Sequence, residues 1–296
     1  MSTQYPSRRR NRRFDDELDD PRQSRRSRAL ADDTSQDDPP AGDRWSTWDL
    51  SAAGERGPQP YPDWLVTELA AVDTELGVLK TGKEADVHLV RRESTDGSGA
   101  EVVMAAKRYR DDRHRTFHRA DVYTVTRRAR RSRDARAVKR GSEYGRAVAA
   151  GMWVQAEWAA LCRYWQAGVP VPYPVQVDGA EILMELVGAH GEAAPRLAQA
   201  RPARALLESY FEQVRSAMIA LAREGVAHGD LSPYNVLADG DRIVLIDLPQ
   251  VVDVVANPRG PEFLLRDCEN MCAWFTARGL DVDAQELFGE LVGFVY

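Results

Sequence analysis

The chain has 296 residues, 43% of them hydrophobic and 29% charged, with a net charge of −6 at neutral pH. That is enough for one large or two small lobes with a real core, in the composition range of soluble globular proteins. No run reaches the roughly 18 apolar residues of a membrane span. No apolar stretch follows the basic N-terminus as a secretory leader would need, and three cysteines, an odd and sparse set, fit a reducing compartment better than a disulfide framework.

The net charge hides an asymmetry. Residues 1–60 alternate Arg and Asp clusters with Ser, Pro and Gly and hold few apolar groups. Such a segment buries too little surface to offset its ordering entropy, so a disordered charged tail is expected there, with Trp45 and Trp48 as a docking motif at most. The folded region is expected from Tyr61. Trp64, Leu65, Leu69, Val72 and Leu76 recur at helical spacing and predict a helix. A loop, Thr81-Gly82-Lys83-Glu84-Ala85-Asp86-Val87, leads into an alternating strand to Val90. Residues 94–100 read as a hairpin turn, followed by a strand, Val102 to Ala106, that ends in Lys107.

Arg dominates residues 110–146. This stretch reads as a solvated basic insertion or as a surface for RNA phosphates or an acidic partner. A long helix is expected over 147–167, stopped by Gly168. Two short strands, 174–177 and 182–186, come next, and Gly188 marks the crossing to a helical half that opens with a flexible patch over 188–202. Leu206, Leu207, Tyr210, Phe211, Val214, Met218 and Leu221 trace one face of a helix ending before Gly225. Helices over 261–278 and 283–295 close the chain, the first with a proline in its opening turn. Cys268 and Cys272 share a helical face with no His nearby, and read as buried small residues.

The chemistry concentrates in His228-Gly229-Asp230-Leu231-Ser232-Pro233-Tyr234-Asn235 and in Asp247, which follows the apolar run Ile243 to Ile246. An Asp and an Asn five residues apart, with a second Asp twelve residues on, match the way a kinase fold places a catalytic carboxylate and two metal ligands. Asp230 would orient the attacking hydroxyl. Asn235 and Asp247 would hold the metal that bridges nucleotide phosphates. His228 would brace the loop. Lys107 would reach the phosphates and be fixed by a Glu from the long helix; Glu157 is the candidate, with Glu143 and Glu212 as rivals.

These pieces in this order resemble the RIO family of atypical protein kinases, its type-one branch most closely, from about Tyr61 to the C-terminus. TGKEADV looks like the family's phosphate loop, HGDLSPYN its catalytic loop and IDLPQ its metal loop; PVPYP (170–174) and EFLLRDC (262–268) match as well. Two departures are Gly229, where Ala is more usual, and the absence of a Gly after Asp247. The resemblance implies an α+β, two-lobed protein-kinase-like fold of RIO type without an activation segment. The β-rich N-lobe with its long helix would cover residues 61–187 and the mainly helical C-lobe 188–296. It implies ATP with Mg²⁺ (or Mn²⁺) as cofactors, and nucleotide contacts from Thr81, Gly82, Lys83, Glu84, Ala85, Val87, Lys107 and Glu157. Backbone groups of Glu185 and Val187 would hold the adenine. It also implies that Asp247 can accept a phosphoryl group, giving an ATPase-like cycle.

The expected activity is therefore phosphorylation of protein Ser or Thr, including the chain's own tail, where Ser2, Thr3, Ser7, Ser24 and Ser27 lie among arginines. The expected location is the cytoplasm, with no membrane partner. Two alternatives stay open. One is a small-molecule kinase of the aminoglycoside-phosphotransferase type, which shares the HGD-x4-N loop. The other is an ATP-gated switch on ribosomal particles with little kinase turnover, reaching RNA through 110–146.

Overall fold

The computed structural model describes residues 42–68, 70–82, 85–109, 143–189, 191–248 and 251–296. Most of the Arg-rich stretch, the tail to residue 41, Leu69, and Lys83 and Glu84 lie outside the described residues.

One half is a six-stranded antiparallel sheet in the order β1-β2-β3-β4-β6-β5. Its strands are β1 (Arg44–Trp45), β2 (Ala71–Thr81), β3 (Ala85–Ser94), β4 (Glu101–Tyr109), β5 (Pro174–Asp178) and β6 (Glu181–Glu185). β3 and β4 carry the branched residues that suit a pleated surface. Their turn closes with Ser94 N–H donating to Ala100 O at 2.9 Å. The sheet buries Val90, Met104, Ala106, Val175 and Leu183 with Trp48, Leu65 and Tyr173. The helix α1 (Glu143–Gln166) packs on β5 and β6.

The sheet curls until non-adjacent strands meet. Arg92 of β3 reaches Asp73 of β2 through two bonds, 2.7 and 3.0 Å, and touches Gln176 of β5 at 3.5 Å. Arg108 of β4 bridges Glu75 of β2 and Glu181 of β6. Arg92 is 0% and Asp73 2% exposed, so this is a wholly buried ion pair.

The other half is mainly helical. A small hairpin, β7 (Gly188–Ala189) with β8 (Glu192–Ala193), leads through a 3₁₀ turn at Leu197–Gln199 to α2 (Arg204–Arg223). Short strands follow: β9 (Val226–Ala227), β10 (Val236–Asp239), β11 (Arg242–Leu245) and β12 (Val252–Asp253). β10 pairs with β11, and β12 with β9. α3 (Gly260–Thr276) and α4 (Ala284–Val295) pack on α2 and on each other. Leu207, Tyr210, Val214, Met218 and Leu221 form the buried stripe of α2, as its spacing predicts. Asp283 caps α4 by accepting from the N–H groups of Gln285 and Glu286.

Three expectations are corrected. The ordered chain starts before Tyr61: residues 42–60 lie against the sheet, with Trp48 buried and Ser46 N–H donating to Ala71 O at 2.8 Å. Long-range strand pairing holds this polar segment, and local composition cannot show that. The helix expected before the phosphate loop is absent, because Val72 and Leu76 belong to β2 and Trp64 and Leu65 to a turn. Pairing along the whole of β3 overrides the helical spacing. The patch over 188–202 holds the β7–β8 hairpin; at Gly188 (φ 147°) a Cβ would sit 2.1 Å from Glu192 O, so the turn requires glycine.

Candidate active site

The phosphate loop joins β2 to β3. Gly82 N–H donates to Ala85 O at 3.0 Å, and a Cβ on Gly82 would stand 2.6 Å from that oxygen. Thr81 pairs with Asp86 beside the turn. Lys80 pairs with Val87, and Val87 with Lys107. Directly paired residues present their side chains on one face. The register therefore sets the loop beside Lys107, with Lys80 in the same row.

Lys107 Nζ meets both carboxylate oxygens of Glu157, at 2.6 and 2.9 Å. Glu157 is only 4% exposed, on the face of α1 that also buries Val154, Trp158 and Leu161. Burial pushes its carboxyl up, and Lys107 pulls it back. Glu157, the candidate partner named from the sequence, reaches the lysine.

Asp230 stands exposed on a loop braced from several sides. Asp267 of α3 accepts from Gly229 N–H and Leu231 N–H, both at 2.8 Å. Asn270 Nδ2 donates to Leu231 O at 3.0 Å, and Arg266 donates to Gly229 O. Gly229 has φ 85°, so the departure from Ala at this position suits its backbone. His228 donates from Nε2 to Ile246 O at 3.0 Å, tying the loop to the strand that delivers Asp247. Burial lowers the His228 pKa, which favours a neutral ring.

Asn235 and Asp247 sit on the joined backbones of the two motifs. Ile246 N–H donates to Asn235 O at 2.9 Å. Asn235 Nδ2 donates to Asp230 O at 2.8 Å, which turns its Oδ1 outward as an acceptor. Asp247 is exposed and has φ 70°, the single non-glycine residue with positive φ among the described residues. Such a conformation costs energy and collects at functional positions. Asp247 lies within electrostatic reach of Glu157, His228 and Lys80, so both halves of the molecule meet around it. One amide oxygen and one carboxylate are hard donors, too few for an all-protein cage. They fit Mg²⁺, which keeps waters and takes the rest of its shell from phosphates.

Glu185 N–H donates to Tyr173 O at 2.9 Å, and the Glu185 side chain accepts from Tyr173 N–H at 3.1 Å and from Arg242 at 2.7 Å. Val187 is buried, and its carbonyl accepts from Ala194 N–H at 2.8 Å. Strand register and an ion pair thus join Thr81, Gly82, Ala85 and Val87 to Lys107 and Glu157, and Asp247, tied through the backbone to Asn235 and Asp230, lies within electrostatic reach of Glu157; Lys83 and Glu84 lie outside the described residues.

The family model described as "RIO domain" matches residues 93–287, more than half of the chain. The chain belongs to the RIO family. It is 36% identical over 222 residues to the RIO-type serine/threonine-protein kinase Rio1 of Haloferax volcanii, covering 75% of this chain and 70% of that protein. It is 28% identical over 230 residues to the mouse serine/threonine-protein kinase RIO3, covering 75% of this chain and 43% of that protein. A Rio1 from Methanocaldococcus jannaschii is 34% identical over 113 residues, 38% of each chain. The mixed fold, with a curled antiparallel sheet and a helical half, agrees with a RIO kinase domain. No helix among the described residues is long and apolar enough to cross a membrane.

Two residues of the site escaped the sequence reading. Asp267 was visible only as part of a matching motif. Its signal is a charged residue on the apolar stripe of α3, between Leu264 and Met271. Lys80, immediately before the loop, drew no reading from the sequence. Burial and the nearby Arg196 and Lys107 lower its pKa while Asp247 opposes them, which places it among the cations of the cleft.

Proposed function

We propose that the chain is an ATP- and Mg²⁺-dependent phosphotransferase acting on protein serine or threonine. The observation that carries this reading is the Lys107–Glu157 ion pair within electrostatic reach of Asp247, whose strand is tied through the backbone to Asn235 and Asp230. Phosphoryl transfer asks an enzyme mainly for positioning and charge neutralisation. In this reading Lys107 grips the nucleotide phosphates, and Glu157 keeps its ammonium aimed at the cleft. The Gly82 turn brings backbone N–H groups close to the phosphates. The Glu185 carbonyl and the Val187 N–H meet the adenine, since the Glu185 N–H is already donated to Tyr173. Asp230 accepts a hydrogen bond from the acceptor hydroxyl and takes its proton as that oxygen bonds to the γ-phosphorus, the bond from the γ-phosphorus to its bridging oxygen breaks and ADP leaves. Asn235 Oδ1 and the Asp247 carboxylate would hold the metal, which neutralises the phosphates when bound. The lobe boundary at 187/188 and a cytoplasmic site of action belong to the same proposal, the latter in keeping with three free cysteines.

A second reading draws on Asp247 itself. It is exposed and held in a strained conformation, which suits an acceptor carboxylate as well as a ligand. In that cycle an Asp247 oxygen attacks the γ-phosphorus, ADP leaves, and water hydrolyses the acyl phosphate. Incubation with γ-labelled ATP and Mg²⁺ separates the two. Hydroxylamine-stable label that disappears in Asp230→Ala supports the kinase. Hydroxylamine-labile label that disappears in Asp247→Ala supports the ATPase cycle. Absence of both label and phosphate release in the wild type overturns the enzyme reading.

A further inference from the structure

The segment from Arg44 to Pro58 touches both edges of the sheet. At one edge β1 pairs with β2, Arg44 opposite Asp73 and Trp45 opposite Val72. At the other, Arg56 lies opposite Gln176 of β5, Gly57 N–H donates to Val175 O and Val177 N–H to Glu55 O, both at 2.9 Å. Side chains between them stitch the curl shut. Arg44 pairs with Glu181 at 2.7 Å, Thr47 Oγ1 donates to Asp178 at 3.1 Å, and Gln176 Nε2 donates to Thr47 Oγ1 at 2.7 Å.

The same segment reaches α1 and Tyr173. Trp158 Nε1–H donates to Gly54 O at 2.7 Å. Trp158 is the neighbour of Glu157 on α1, so this bond anchors the turn of helix that carries the partner of Lys107. Tyr173 Oη donates to Pro58 O at 2.9 Å, and the backbone of Tyr173 is bonded in both directions to Glu185. The Trp165 ring, also on α1, meets the Tyr173 ring edge-on at 5.1 Å. At Gly57 the fit is tight: a Cβ would lie 1.9 Å from Pro174 O.

We propose that residues 44–58 form a positioning strap that holds α1 where Glu157 meets Lys107, with Trp158 and Gly57 as its two fastening points. The proposal rests on the phosphate-gripping role of Lys107 given above. A strand pair on each side of the sheet fixes the strap, and its carbonyl at Gly54 then fixes the helix. Release of the strap leaves the catalytic loop untouched and loosens the hold on the nucleotide.

The test is a double-mutant cycle in the full chain, read as Kd for a fluorescent ATP analogue. Trp158→Phe keeps a ring and removes the donor; Glu157→Gln removes the charge partner of Lys107. Trp158→Phe is expected to weaken nucleotide binding by about three- to tenfold, the span of one neutral hydrogen bond. In the Glu157→Gln background it is expected to add almost nothing, because the strap acts through Glu157. Faster amide exchange over residues 153–165 accompanies it. Gly57→Ala is expected to reproduce the effect, and Trp158→Phe suffices if that variant fails to fold. An equal loss of affinity in both backgrounds overturns the strap. ATP binding without phosphate transfer in the wild type overturns only the enzyme reading, and the cycle is still read. No nucleotide binding at all in the wild type overturns the strap together with the role of Lys107.

Discussion

Asp230 and Asp267 divide the work of one loop, the first facing solvent and the second bonded beneath it. Asp230→Asn is expected to lower the phosphotransfer rate by roughly 10²–10⁴-fold. ATP affinity should stay near the wild-type value, and a single-turnover assay beside equilibrium binding checks the split. Asp267 carries a pH dependence. Burial raises its carboxyl from 3.8 to about 6, against the two N–H donors and Arg266 that favour the charged form; Asp230 adds to the rise. A carboxyl raised in the folded state stabilises the fold fully below its unfolded pKa, and that contribution fades as pH climbs through the folded value. Relative to Asp267→Asn, the wild type should therefore lose about 2 kcal/mol between pH 4 and 7, most of the equivalent of two pKa units. Urea unfolding of both proteins across that range measures it, and a flat difference would refute the assignment. His228 adds no charge to this loop, since burial keeps its ring neutral.

At the scale of elements, an ion pair joins β4 and α1 between residues that are fifty positions apart in sequence. Glu157→Gln leaves Lys107 with a neutral partner and should weaken ATP binding by about ten- to a hundredfold, the range for hydrogen bonds to charged groups. Titration with a fluorescent nucleotide checks it. The elements that carry chemistry were legible in the sequence because each has local punctuation. The HGD-x4-N spacing, the apolar run before Asp247 and the stripe of α2 all state their structure within sixteen residues or fewer. Glu157 could be named, with Glu143 and Glu212 as rivals, because the order of the motifs asks for a glutamate from the long helix between Lys107 and the HGD loop. The misread elements lack such signals. β2 is buried over its first three residues and exposed over most of the rest, so neither a period of two nor a steady apolar face survives. Its irregular register between Glu75 and Gly77 blurs the alternation further. Residues 42–60 are polar because they cover the sheet from outside, and only their partners on β2 and β5 reveal them.

At the scale of the molecule, the buried Arg92–Asp73 pair holds the curl of the sheet. Removing one partner strands a charge without water, so Asp73→Ala should cost about 3–5 kcal/mol. The exposed Arg259–Glu262 pair should give at most about 1 kcal/mol when broken. Urea titration of the two variants tests the contrast. The order of strands has another consequence, for how the chain is made. β4 is bordered by β3 and by β6, and β6 is complete only at residue 185. A ribosome that has delivered β1 to β4 has thus made a meander whose β4 edge still lacks its partner β6, and the far partners of the strap do not yet exist. Open edges invite pairing with other chains. Closure must wait until residues 174–185 emerge, roughly seven to fifteen seconds after Tyr109 at five to ten residues per second. Stalling within that interval should yield aggregates, and stalling after it should yield a folded sheet.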